Sequence, residues 1–188
     1  GNGILKSEDN GETWFSLEST QNQTPQKIDS WDRIWRIALD PTSPNDVVMS
    51  ALSGGIMRSE DGGVSWTESL GGTGTEAYYS DIVVTSDGVF YATLSSDGAT
   101  RGIFRSINGI DWTNITPPSF PNAYNRVVMG INPSDEAEVY FMAESPGDGK
   151  RFENFRGDVE WISFWKYSYI IGDGTGVGGF WEDRSVNL

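Results

Sequence analysis

Cysteine and histidine are both absent from this chain of 188 residues. Without Cys there is no disulfide, no thiolate metal site and no cysteine nucleophile. Without His the commonest general base and metal ligand is missing, which sets aside zinc hydrolysis and Ser-His chemistry. No apolar run approaches the ~20 residues that a membrane-spanning helix needs, so membrane insertion is not expected. Positive charge is also scarce. Against 27 acidic residues stand 13 basic ones, a net charge of −14. Such a surface repels duplex nucleic acid and anionic membranes, and nucleic acid is excluded as a partner. A solvated acidic surface on an extracellular protein accounts for the imbalance, as would an acidic carbohydrate groove. The chain opens at Gly1 without an initiator Met or a signal-peptide pattern, which reads as a mature or truncated piece.

What is plentiful is turn and ring. With 23 Gly, 8 Pro and 13% aromatics, the composition suits a turn-rich all-β protein. The stretch Ser7-Glu8-Asp9-Asn10-Gly11-Glu12-Thr13-Trp14 recurs as Ser59-Glu60-Asp61-Gly62-Gly63-Val64-Ser65-Trp66. It returns one residue shorter as Ser106-Ile107-Asn108-Gly109-Ile110-Asp111-Trp112, the serines lying 52 and then 47 residues apart. A period in that range means stacked supersecondary units. Asp9, Asp61 and Asn108 suit turns whose side chains bond nearby amides, and Gly11, Gly63 and Gly109 accept positive φ. Trp14, Trp66 and Trp112 then add apolar area between neighbouring sheets. Because these acids recur in every unit, a structural role explains them better than catalysis.

Around the repeat, a larger unit emerges. Strands are expected at 34–39, 47–52, 55–58 and 65–69, then at 80–85, 89–94, 102–105 and 111–115, then at 126–131 and 138–143. A third strand at 164–169 and a fourth carrying Trp181-Glu182-Asp183 complete the last unit, their hairpin swollen over 170–179. Four short antiparallel strands per unit describe a β-propeller blade. The reading is one partial propeller over 1–188 of about three and a half blades. An outer hairpin at 1–20 precedes blades at 31–70, 78–116 and 124–188. An unclosed ring implies further blades, from a longer chain or a second segment.

The pattern Ser-x-Asp-x-Gly-x-Thr/Ser-Trp resembles the Asp-box, or BNR repeat, of sialidase-like and sortilin-like propellers. That family includes sialidases, xyloglucanases, receptors and noncatalytic surface proteins, so the resemblance implies fold more than activity. Gly3 to Asp9, Tyr91 to Gly98, Tyr124 to Arg126, Phe164 to Tyr169 and Trp181 to Ser185 are also similar to secreted Bacteroidetes propeller proteins exported by the type IX route. The resemblance implies an extracellular or cell-surface location.

In a blade, the loops leading into the first strand share one face with the loops joining strands two and three, and the repeated hairpins lie opposite. Ligand contacts are therefore expected from Trp31 and Arg33, from Tyr78 and Tyr79, from Tyr124 and Arg126, and from Arg101. The long second-to-third loop from Glu144 to Trp161, with Phe155 and Arg156, is the strongest pointer, since extended loops on rigid scaffolds carry binding. Aromatic platforms beside carboxylates and arginines suit sugars. Asp32 and Asp81 hold equivalent places in adjacent blades and are the candidate acids for an inverting hydrolase, which needs carboxylates about 6.5–9.5 Å apart. The loop Gly172 to Gly176 lacks the Lys of a P-loop and the acidic ladder of an EF-hand, and reads as a flexible hairpin extension. No cofactor or metal is expected. The leading reading is a noncatalytic module that binds glycan or protein on the channel face; a glycoside hydrolase is the rival, and a sortilin-like peptide receptor a third.

Overall fold

The computed structural model of the chain describes residues 3–21, 33–72 and 74–188. Its architecture is all-β. Strands β1 (Leu5–Lys6) and β2 (Phe15–Ser16) form a two-stranded antiparallel ladder, sheet A. Sheet B is the meander β3 (Ile34–Leu39), β4 (Val48–Leu52), β5 (Gly55–Ser59) and β6 (Thr67–Leu70). Sheet C repeats it with β7 (Ser80–Val84), β8 (Phe90–Leu94), β9 (Gly102–Ser106) and β10 (Thr113–Asn114). Sheet D contains β11 (Val127–Ile131), β12 (Glu138–Glu144), β13 (Lys150–Glu153), β14 (Val159–Tyr169) and β15 (Gly179–Asp183). This arrangement of four-stranded antiparallel sheets is consistent with a partial β-propeller.

Sheet D departs from the expected loop between its second and third strands. Residues 150–153 pair with 159–162, so the segment is a β-hairpin and β14 runs eleven residues. One edge of β14 holds β12, while the other holds β13 first and β15 after it.

The three sheets share one register. The row Arg36–Ala51–Ile56 in sheet B is matched by Asp81–Thr93–Ile103 in C and Val128–Met142–Phe164 in D. Beside it run Ala38–Met49–Arg58, Val83–Tyr91–Arg105 and Gly130–Tyr140–Lys166. Strand alternation puts these rows on one face of each sheet, here called the forward face, which meets the rear face of the sheet that follows. Met49, Ala51 and Ile56 pack with Ile82, Phe90, Leu94 and Phe104 between sheets B and C. Tyr91 and Ile103 pack with Met129, Phe141, Trp165 and Tyr167 between C and D. Complete burial of each large side chain there contributes roughly 1.5–3 kcal/mol.

The repeated hairpins close on themselves. Ser7 Oγ donates to Asp9 Oδ1 at 2.8 Å and accepts the Gly11 amide at 2.7 Å. Asp9 accepts the Thr13 amide at 2.8 Å and the Thr13 hydroxyl at 2.5 Å. Ser59, Asp61, Gly63 and Ser65 repeat the set with distances of 2.6–2.8 Å. In the shorter third copy, Asn108 Oδ1 accepts the Ile110 and Asp111 amides, both at 2.9 Å. Gly63 has φ +94°, a backbone conformation that favours glycine, and its open Cα lies against the Leu17 side chain.

A second device joins the second and third hairpins to the preceding unit. Trp66 Nε1 donates to Ser19 Oγ at 3.2 Å while Ser19 Oγ donates to the Gly63 carbonyl at 2.6 Å. Trp112 Nε1 donates to Ser69 Oγ at 2.8 Å, and Ser69 Oγ donates to the Gly109 carbonyl. The swollen fourth hairpin is tied down rather than loose. Tyr167 Oη donates to the Gly174 carbonyl at 2.7 Å, and Asp173 Oδ1 accepts both the amide and the hydroxyl of Thr175.

Candidate functional site

The turns after β4, β8 and β12 bond to the segments leading into the first strands, and these together make one loop-bearing face. The Ser53 amide donates to the Arg33 carbonyl, and the Gly54 amide to that of Ala77. The Ser95 amide donates to Tyr79 and the Ser96 amide to Tyr124 in the same manner.

At the head of β3 the ladder slips. Ile34 pairs with Leu52 and Arg36 with Ala51, which leaves Trp35 as the extra residue of a β-bulge. Bulges re-aim side chains, and this one delivers an indole to the loop face. The Trp35 ring lies 5.9 Å from Tyr78 and 5.0 Å from Tyr79, and these two tyrosines meet edge-on at 4.7 Å. Arg33 sits over the Tyr78 ring at 5.2 Å and Arg126 over Trp35 at 5.5 Å. The backbone under this cluster is held firmly. The Tyr78 carbonyl accepts Trp35 Nε1 at 3.1 Å and Ser53 Oγ at 2.8 Å, while its amide donates to the Asp97 carboxylate. The Tyr79 amide donates to Ser95 Oγ at 2.9 Å. Tyr78 stays 42% exposed, with Arg33 over one face of its ring.

Below the cluster lies Asp81, whose side chain is only 1% exposed. Arg36 Nε approaches Asp81 Oδ1 at 2.7 Å, that oxygen accepts the Ile82 amide at 3.0 Å, and Oδ2 accepts the Met129 amide at 3.2 Å. One carboxylate thus ties β3, β7 and β11. Burial pushes its pKa above the usual 3.8, outweighing the opposing pull of Arg36, the two backbone donors and Arg126. A carboxylate so enclosed has no open side for a substrate. Its place is that of a tie between three sheets, where a channel-facing acid was expected, because strand alternation turns it forward into the interface. Asp32 and Trp31 lie outside the described residues.

The other expected contacts divide. Tyr124 is buried at 4% exposure with its ring 5.1 Å from Phe120, and burial pushes its hydroxyl up to about 12. It belongs to the core, where it joins Ile115 and Phe120 in the cluster between sheets C and D, Phe120 lying 5.5 Å from Trp165. Arg101 is exposed and donates to the Ser96 carbonyl at 3.3 Å. Phe155 stands 91% exposed at the tip of the β13–β14 hairpin, with Arg156 over its ring at 5.2 Å. Arg126 also lines a groove of about 390 Å³ with Val128, Met142, Glu144, Glu160 and Ile162. The motif residues Ser7, Asp9, Ser59, Asp61, Ser106 and Asn108 sit in their turns as described. Among the described residues no group of three or more acidic side chains converges as a metal site would. No helix among them is long and apolar enough to cross a membrane.

What the sequence reading missed is Trp35. It stands inside a continuous strand pattern, where a ring reads as core; it packs partly against the core between sheets B and C, and the bulge that also brings it to Tyr78 and Tyr79 leaves no mark in the residue types.

No protein-family profile matches the chain. It is 24% identical over 205 aligned positions to a xyloglucanase of Hypocrea jecorina (strain QM6a), which covers 96% of this chain and 22% of that enzyme. The crystal structure of the GH74 xyloglucanase of Xanthomonas campestris superposes with a TM-score of 0.58 at 16% identity, covering 97% of this chain and 27% of the other. An ancestral GH74 enzyme gives a TM-score of 0.50 at 15% identity over 98% of this chain and 28% of its own. The chain spans about a quarter of the length of these relatives. At such identity the structural likeness establishes the fold.

Proposed function

We propose that this chain is part of a polysaccharide-acting β-propeller related to the xyloglucanases, and that its share of the work is to hold the glycan. The observation that carries this is the Trp35–Tyr78–Tyr79 platform flanked by Arg33 and Arg126 on the loop face. Sugar rings present C–H faces that rest on aromatic rings, while their hydroxyls take hydrogen bonds from guanidinium groups. The match to a xyloglucanase along nearly the whole chain supports a glycoside hydrolase as the setting. On this reading the hydrolytic acids lie beyond the described residues, and Asp81 is a structural tie. Its burial also favours a second reading, a noncatalytic glycan-binding surface, for the described portion taken alone.

The hairpins are read as Asp-boxes on the face opposite the glycan, and residues 1–20, 31–70, 78–116 and 124–188 as successive blade segments. The sequence similarity to exported propeller proteins supports an extracellular setting.

The test is affinity electrophoresis and calorimetry of the protein with xyloglucan and a panel of neutral polysaccharides, alongside reducing-sugar release. Trp35→Ala and Tyr78→Ala should each weaken binding about tenfold, the loss of a stacking contact worth about 1.4 kcal/mol. Binding that survives both substitutions would remove the platform from the account. Sugar release by the intact protein separates the hydrolase from the noncatalytic reading.

A further inference from the structure

On a chain of net charge −14, the basic side chains divide by place. Lys6, Arg58, Arg151 and Arg184 each pair with a glutamate two positions away, Arg36 pairs with Asp81, and Lys166 with Glu138. Among the described residues, Arg33, Arg101, Arg126, Lys150 and Arg156 make no ion pair. All five lie on the loop face, either ahead of a first strand or between a second and a third. Arg105, which also makes none, is buried. With acids in twofold excess, the cations left over are gathered on one side of the molecule.

Four of these five stand over aromatic rings. Arg33 lies over Tyr78 and Arg126 over Trp35, while Lys150 lies 5.6 Å from the centre of Phe152 and Arg156 5.2 Å from that of Phe155. Arg126 joins the two pairs of contacts, since it also lines the groove with Glu160 and Ile162 of β14, the strand that closes the Phe155 hairpin. The carboxylates of this face are mostly engaged elsewhere. Asp97 takes the Tyr78 amide and the Ser95 hydroxyl, Glu144 takes Asn125 Nδ2 at 3.0 Å, and Asp158 takes Asn154 Nδ2 at 3.1 Å. Glu160 shares the groove with Arg126 and does not pair with it. The exposed guanidinium groups therefore keep a planar, charged fork that fits a carboxylate through two parallel hydrogen bonds.

We propose that the ligand of the loop face is an anionic polysaccharide built from uronic acids. Its ring carboxylates pair with Arg33 and Arg126, and its C–H faces rest on the aromatic cluster between them. This rests on the reading of Trp35, Tyr78 and Tyr79 as a glycan platform, and it adds the charge of the sugar. The acidic remainder of the surface does not oppose it at short range, because exposed charges are screened beyond about 8 Å at physiological salt.

The experiment is calorimetry of the full polypeptide with polygalacturonate, polyglucuronate and alginate, each beside its own carboxyl-reduced form, with xyloglucan and polyglutamate as further arms. A uronate polymer should bind about tenfold more tightly than its reduced form, the difference between charge-assisted and neutral hydrogen bonds, and that preference should shrink as salt rises. Arg33→Gln and Arg126→Gln, which keep an amide donor and remove the charge, should each bring the two forms close to parity. Equal binding of the parent and reduced polymers overturns the anionic assignment and leaves the platform standing. So does xyloglucan binding through Trp35 with no uronate bound at all. Loss of every polysaccharide arm removes the platform as well. Polyglutamate held as tightly as the uronates would show that charge alone is read, and would also overturn the proposal. The comparison of parent and reduced polymers needs no substitution, so a variant that fails to fold does not shield the idea.

Discussion

Asp81→Ala is the substitution whose cost the structure defines best. It removes the acceptor of Arg36 Nε at 2.7 Å and of the Met129 amide at 3.2 Å in one stroke. Breaking a buried ion pair costs about 3–5 kcal/mol. The Arg36 side chain is 37% exposed and can return to water, which draws the value toward the lower end. The Met129 amide has no such recourse, and an orphaned buried donor costs about 1–3 kcal/mol on its own. A loss of about 3 kcal/mol follows, or a fall in melting temperature of about 6–12 °C for a domain of this size. Differential scanning calorimetry measures it directly. Asp81→Asn keeps the shape and one acceptor, and should lose less. The pH dependence carries an unusual sign. Burial raises the folded pKa above 3.8, so the folded protein holds this proton more tightly than the unfolded chain. Wild type should therefore gain stability relative to Asp81→Asn as pH falls from the raised value toward 3.8. A melting shift below about 2 °C for Asp81→Ala would refute the three-sheet tie, and a difference curve of opposite slope would refute the dominance of burial over the ion pair.

Asp9 and Asp61 should show the reverse slope. Hydroxyl and amide donors hold both carboxyls down to about 2, so their share of stability is present above 3.8 and is lost as pH falls from there through about 2. Carboxyl carbon shifts in NMR titrations should give midpoints near 2, and a midpoint near 3.8 would dissolve the hydrogen-bonded turn. Ser69→Ala strips the Trp112 indole and the Gly109 carbonyl of their shared partner and should cost about 1–2 kcal/mol in urea unfolding. Tyr167→Phe leaves the Gly174 carbonyl without its donor and should cost about 1 kcal/mol, with the loss confined by hydrogen exchange to residues 170–179.

Much of the fold could be read from residue types, because turn chemistry is local. The repeat located three hairpins, and the strand over 34–39 appears with the expected bounds. The site was less legible, since its geometry depends on pairing across the sheet. Tyr78 and Tyr79 were anticipated on the loop face. Trp35 was not, because a bulge is a mismatch between two strands and neither sequence alone records it. Asp81 and Tyr124 were expected near a ligand and are buried, for facing direction follows register rather than composition. The segment 150–162 read as a loop because its hairpin mixes polar and apolar residues on both faces.

The self-closed turns also bear on the order in which the chain assembles. The serine and aspartate bonds that shape the Ser7–Thr13 and Ser59–Ser65 turns span four residues or fewer. Such loops form in about microseconds, well before distant strands can meet. Each hairpin is thus ready as a finished piece when sheet stacking begins, and its tryptophan already faces the direction from which the preceding serine arrives. Errors of order between similar sheets are then decided at a late, slow step, by which serine reaches which indole first.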